Sequence, residues 1–110
     1  MKGPMILIVM IVTACVAADS FGQAPPAGSV DYQTKCQMCH GVSGLADTGP
    51  AKTLKVQPLN SATVEAKSDA TLTGIIKSGS GKMPAFQGKL TDDEINNLVK
   101  YIHQLQAKQN

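Results

Sequence analysis

Arginine and tryptophan are missing altogether from these 110 residues, and the aromatic complement is two tyrosines and two phenylalanines. A nucleic-acid surface needs a basic stripe, usually built with arginine and aromatic platforms. Ten lysines against eight carboxylates, for a net charge of +2, do not make one, and nucleic acid is set aside as a partner. So few large rings also leave little with which to fill a core. A chain of this size buries only about 60% of its unfolded surface and is marginal without help, so a non-protein group is expected inside the fold.

A long apolar run is lacking too. The stretch MKGPMILIVMIVTACVAADS has one early cation, Lys2, an apolar run from Met5 to Val12, then small residues. A spanning helix needs about 20 apolar residues, and this run is interrupted by Thr13 and closed by Asp19. It reads as a secretory signal over residues 1–18, cut after Ala18, with a cut after Gly22 as the alternative. VTAC, ending in Cys15, resembles the lipobox of bacterial lipoproteins, and lipid on Cys15 is the one route by which membrane attachment is expected. The competing reading makes Cys15 a small apolar member of the signal. Without the signal, Cys36 and Cys39 are the remaining thiols, in a compartment that is oxidising.

Residues 19–28, which include QAPPAG, form a Pro-rich lead-in without periodicity, and the domain is expected over residues 29–110. A helical face of Val30, Tyr32, Lys35, Cys36 and Cys39 runs from Ser29 to about Met38, with Ser29 or Asp31 available to cap it. Residues 41–69 are rich in Gly, Pro, Ser and Thr and read as a long loop with one helical turn at most. Loops of that length inside a small domain are usually functional, and this one would wrap a bound group. A second helix begins at the cap Ser68, turns Leu72, Ile75 and Ile76 inward and ends at Gly79. The last helix is the clearest: Thr91 and Glu94 form a capping box, Leu90 and Ile95 a hydrophobic staple, and Ile95, Leu98, Val99, Ile102 and Leu105 one apolar stripe. An all-α domain of three to four helices with long loops is implied.

The chemistry is concentrated in CQMCHG, residues 36–41. A dithiol redox site wants a lowered thiol pKa at the start of a helix after a strand, whereas this pair ends a helix in a chain with no strand pattern. Structural zinc needs four ligands, and the other imidazole is His103, near the chain's end, so zinc is unsupported. Covalent haem needs what is present: two thiols spaced to form thioethers with two vinyl groups, and a histidine directly behind them to coordinate iron.

With that motif in place, residues 28–104 resemble the class I c-type cytochromes of the small bacterial kind. The resemblance implies one covalent haem c linked to Cys36 and Cys39, with His40 as the proximal iron ligand. GKMPAF resembles the family's distal loop, which makes Met83 the sixth ligand with Pro84 stiffening the loop. DTGPA resembles its Gly-Pro turn, in which the Pro50 carbonyl accepts a hydrogen bond from His40 Nδ1. Gly28 and Tyr32, facing Leu98 and Tyr101, match the contact between first and last helices. The family's arginine and tryptophan partners for the haem propionates are absent, which leaves Lys52, Lys55, Gln57, Asn60 or backbone amides.

With both axial positions filled, the expected function is one-electron transfer outside the cytoplasmic membrane, in the periplasm, at a relatively high potential, without enzymatic turnover. Redox partner proteins are expected to meet the exposed haem edge, and Lys35, Lys52, Lys55, Lys82 and Lys89 are candidates for a basic rim facing an acidic partner. The alternatives are a haem enzyme or gas-binding protein with an open sixth position, and a dedicated haem subunit of a periplasmic dehydrogenase or oxidase. His103 and Met38 are expected to take no part in ligation, and Asp92, Asp93 and Glu94 to serve the start of the last helix.

Overall fold

A computed structural model describes Gly3 and residues 22–110. The expected signal over residues 1–18 and Cys15 lie outside the described residues, apart from Gly3. Among the described residues six helices follow one another: α1 (Ser29–Lys35), α2 (Gln37–His40), α3 (Gly49–Leu54), α4 (Ala62–Glu65), α5 (Asp69–Ser78) and α6 (Asp92–Gln109). Among the described residues β structure is confined to two isolated bridges, Ser80 with Met83 and Gln87 with Leu90. The domain is therefore all-α, with more and shorter helices than the sequence suggests.

α6 is the beam of the fold. Thr91 Oγ1 accepts the Glu94 amide at 3.1 Å while Glu94 Oε2 accepts the Thr91 amide at 2.8 Å, so both halves of the capping box form. Leu90 and Ile95 are buried, as are Leu98, Val99, Ile102 and Leu105, so staple and stripe both face the core. The N-terminal half of α6 crosses α1, and α5 packs along the same beam. Tyr32, Leu59, Leu72, Ile76, Phe86 and Leu90 complete one core cluster with the α6 stripe.

Three local differences from the sequence reading have physical causes. First, the helix read from Ser29 to about Met38 breaks at Cys36, whose backbone (φ −117°) ends α1 and starts α2. Second, neither Ser29 nor Asp31 caps α1. Its N-cap position is Gly28, at φ +85° and without a side-chain cap bond, and Ser29 Oγ is buried without a partner. The crossing sets this choice: a Cβ at Gly28 would lie 2.7 Å from the Asn97 carbonyl carbon and nearer still to its oxygen. Third, the segment 41–69 contains α3 and α4, each started by a side-chain cap: Thr48 Oγ1 accepts the Ala51 amide at 3.1 Å, and Ser61 Oγ accepts the Val64 amide at 3.4 Å. Helices of six and four residues are too short to show a period, so only the caps announce them. The helix from the Ser68 cap does form, with its Thr71 amide bonded to Ser68 Oγ at 3.2 Å.

Candidate functional site

A cavity of about 670 Å³ opens between α2, the 54–67 segment, α5 and the Met83 loop. Leu54, Val56, Leu59, Leu72, Ile75, Ile76, Phe86, Leu98 and Ile102 supply apolar wall, and Cys36, Cys39, His40 and Met83 all line it. The four residues singled out in the sequence thus meet at one hollow, although Met83 arrives from a distant loop.

The local backbone explains why the motif faces that way. The Cys36 carbonyl accepts the Cys39 amide at 3.2 Å and the His40 amide at 2.9 Å, closing one helical turn. The Cys39, His40 and Gly41 carbonyls have no helix to continue into, and each finds a donor from elsewhere. Thr48 Oγ1 donates to Cys39 O at 3.3 Å, the Ala46 amide to His40 O at 2.9 Å, and Tyr32 Oη to Gly41 O at 2.7 Å. Tyr32 is itself buried, its ring 5.2 Å from that of Tyr101 and inclined at 60°. Burial, with the charges of Cys36, Tyr101 and Asp47 adding to it, holds its phenol protonated far above the ordinary range, so it serves as a permanent donor. The sequence reading missed the work of Thr48. The signal was a Thr two residues before Pro50, an N-cap followed by proline in the first helical turn.

Electrostatics separates the rival chemistries. Burial, ahead of the Asp31 charge, pushes the Cys36 thiol up to about 11, the opposite of the lowered value that a dithiol redox site requires. Among the described residues no group of three His, Cys, Asp or Glu is placed to share a metal ion, so a four-ligand zinc centre has no donor set. Burial also lowers the His40 pKa, which keeps a lone pair on the ring for a metal. Its Nδ1 is buried without a hydrogen-bond partner, so the expected bond to the Pro50 carbonyl is not formed. Pro50 stands second in α3, where a carbonyl points along the helix axis toward its C-terminus. Even so, α3 packs directly on α2. An apolar hollow, two soft sulfur donors at its edge, a neutral imidazole and a thioether in its wall suit a large flat iron-bearing group.

Met83 is held by a tight turn: the Ser80 amide donates to Met83 O at 3.1 Å and the Met83 amide to Ser80 O at 2.9 Å. Gly79, at φ +75°, sits under it, and a Cβ there would lie 2.6 Å from the Met83 carbonyl oxygen and 2.9 Å from the Ala85 nitrogen. Gly79→Ala is therefore expected to cost about 2–4 kcal/mol in chemical denaturation, combining a left-handed backbone with a backbone clash.

The structure divides the remaining candidates. Lys55 and Gln57 line the cavity; Lys52 and Asn60 do not. Of the rim lysines, Lys35, Lys55 and Lys82 border the opening and Lys52 and Lys89 do not, while Lys67, not picked from the sequence, does. Met38 lines the cavity and is 74% exposed, and Val42, four residues on, is 67% exposed. His103 lies outside the cavity, bonded to Asp69 and Gln106.

A cavity of this kind, with a Cys-x-x-Cys-His turn on its wall in an all-α domain, defines a c-type cytochrome. The family model described as cytochrome C oxidase, cbb3-type, subunit III matches residues 23–102, and the chain belongs to the class I c-type cytochrome family, which carries covalently attached haem c and transfers electrons. Cytochrome c6 of Leptolyngbya boryana is 37% identical over 79 residues, covering 69% of this chain and 86% of that one. Cytochrome c6 of Gracilaria tenuistipitata var. liui is 34% identical over 76 residues, covering 69% and 68%. Among solved structures, the KustC0563 c-type cytochrome superposes with a TM-score of 0.65 at 30% identity, covering 71% of this chain and 95% of that one.

Proposed function

We propose that this chain is a one-electron carrier rather than an enzyme, with Cys36 and Cys39 as the thioether attachments of its haem and His40 and Met83 as the axial ligands. The observation that carries the reading is the convergence of those four side chains on one apolar cavity. Haem c supplies the chemistry, a reversible change between Fe(II) and Fe(III). The chain's residues do the rest. His40 and Met83 would occupy both axial positions and leave none open to oxygen, peroxide or substrate. The apolar wall disfavours the extra charge of the oxidised state, and a thioether favours the reduced one, so both raise the potential. His40 Nδ1, buried without a partner, needs an acceptor to fix the ring. Pro50, which makes no such bond in this structure, is the residue we assign to it once haem is bound, since a carbonyl has a second lone pair free for such a bond.

Partners are redox proteins with an acidic contact surface. Lys35, Lys55, Lys67 and Lys82 line the cavity and no carboxylate among the described residues does, and exposed Met38 offers apolar contact beside them. A surface of this kind favours brief docking in which charge sets the on-rate. Residues 1–18 would direct export to the periplasm, leaving residues 19–28 as a lead-in and 29–110 as the domain. No helix among the described residues is long and apolar enough to cross a membrane, and membrane attachment would require lipid on Cys15. A second reading, a haem subunit dedicated to one oxidase or dehydrogenase, is favoured by the description of the matching family model. Co-purification of a larger enzyme distinguishes it from a free shuttle.

The test is expression with a c-type haem maturation system. The wild type is expected to keep its haem through acid-acetone extraction and denaturing electrophoresis. Cys36→Ser with Cys39→Ser is expected to lose covalent haem altogether, and each single variant to retain one thioether with a shifted reduced spectrum. Haem that stays covalently bound in the double variant would sink the assignment.

A further inference from the structure

Behind the cavity runs a chain of polar contacts that the ligand assignments do not use. Asp69 Oδ1, at the first position of α5, lies 2.6 Å from His103 Nε2. His103 Nδ1 lies 3.0 Å from Gln106 Oε1, and Gln106 Nε2 donates to the Leu59 carbonyl at 2.8 Å. Leu59 lines the cavity, and its amide donates to Gly44 O at 2.7 Å, in the loop that leaves the His40 turn. Gln106 is buried, whereas His103 and Asp69 reach solvent.

The donor inventory fixes the proton count. Gln106 must turn its NH2 toward the Leu59 carbonyl, because two carbonyl oxygens cannot bond each other, so its Oε1 faces His103 and Nδ1 must carry a hydrogen. Nε2 faces a carboxylate at bonding distance and must carry one as well. A ring that donates from both nitrogens is an imidazolium. The shift in acidity agrees: the Asp69 hydrogen bond raises the His103 pKa above its ordinary 6.5. Other charged groups on the elements around it are engaged or outward-facing. Asp31 pairs with Lys35 on α1, Lys77 of α5 pairs with Asp92, and Glu65 of α4 accepts from Asn110. Lys100 and Lys108 lie exposed on α6, Lys67 borders the cavity, and among the described residues Asp69 is the charge that acts on the ring.

We propose that Asp69, His103 and Gln106 form a proton-dependent brace of the haem pocket that links the redox potential to pH, with His103 and Gln106 as positioning residues. Below its pKa the imidazolium fixes the Gln106 carboxamide, which in turn holds the Leu59 carbonyl and the wall that Leu59 belongs to. The extra positive charge also opposes oxidation of the iron, so the potential is higher on the acid side. Loss of the proton frees Gln106 and removes that charge, and the potential falls. By linkage, the reduced protein holds the His103 proton more tightly than the oxidised one. The stability sign follows from the raised pKa. The contribution of the ion pair is fully present below pH 6.5, the ordinary value, and is lost as pH rises through the folded one.

The proposal requires haem in the cavity but is independent of the sixth ligand, which the visible spectrum recorded at each pH reports separately. The experiment is the midpoint potential of the haem-loaded protein between about pH 5 and 9, the range in which histidine titrates, with His103 followed by NMR in both redox states. The expected result is a step in potential at the NMR pKa of His103. Asp69→Asn should move the step to lower pH and His103→Gln should abolish it. Gln106→Leu should leave the His103 titration visible by NMR while shrinking the step in potential. A potential that is flat across the range overturns the proposal, as does a step that survives His103→Gln or a His103 pKa at or below its ordinary value. Should Gln106→Leu fail to fold, the His103 and Asp69 variants, both altered at exposed side chains, still decide.

Discussion

Replacing Met83 by alanine is expected to lower the midpoint potential on the order of 100–300 mV, a fraction of the ~0.8 V that axial ligands command across haem proteins. The effect is electronic and then steric. A thioether is a neutral soft donor that favours Fe(II), and its loss leaves water or a stronger field donor to favour Fe(III). Alanine cannot reach the metal, and the vacated wall admits small ligands. Three readouts follow: disappearance of the methionine-to-iron charge-transfer band in the oxidised protein, a fallen potential, and ready binding of carbon monoxide by the reduced protein. The backbone should survive, because Met83 amide and carbonyl are held by Ser80 and that turn needs no particular side chain. An unchanged oxidised spectrum would mean that Met83 is not a ligand, and the haem-enzyme or gas-binding reading would take the place of the carrier.

Gly28→Ala is expected to destabilise the fold strongly. Two independent costs coincide there. The residue holds φ +85°, a left-handed conformation that costs an L side chain roughly 1–2 kcal/mol. Its Cβ would also press on the backbone of Asn97, with the Leu98 nitrogen 3.0 Å away. Backbone in the middle of a helix cannot yield as a side-chain tip can, so overpacking adds roughly 1–3 kcal/mol. A total of about 3 kcal/mol corresponds to a fall in Tm on the order of 10–25 °C for a domain of this size. Gly74 is the control: it lies within α5 with open space where its Cβ would be. Gly74→Ala is expected to raise stability by about 0.5–1 kcal/mol through helix propensity alone. Thermal unfolding of the two variants by far-UV circular dichroism separates them, and a Gly28→Ala protein as stable as the wild type would mean that the two helices can part without cost.

α6 and the start of α5 were legible in the sequence because their signals are local. Thr91, Glu94, Leu90 and Ile95 lie within six consecutive residues, and the stripe from Ile95 to Leu105 repeats often enough for its period to stand out. CQMCHG was legible for a different reason: covalent haem attachment depends on neighbours along the chain, so the spacing carries the chemistry whatever the rest of the fold does. α3 and α4 were not, since four or six residues contain too little period to be read.

The tertiary structure decided the contacts that join distant segments. Tyr32 Oη reaches Gly41 O nine residues away and Gln106 Nε2 reaches Leu59 O forty-seven residues away. Neither pair shares a helix face or a turn that spacing could reveal. The same holds for Gly28, whose need for a missing side chain arises from Asn97 on another helix. It holds also for the basic rim, where Lys67 faces the cavity and Lys52 does not. Residue types and short spacings determine which chemistry a chain can perform, because those reactions run through neighbouring atoms. Which lysine borders the cavity, which donor holds each carbonyl and where His103 finds its carboxylate depend on how helices cross, and a crossing is set by packing across the whole core.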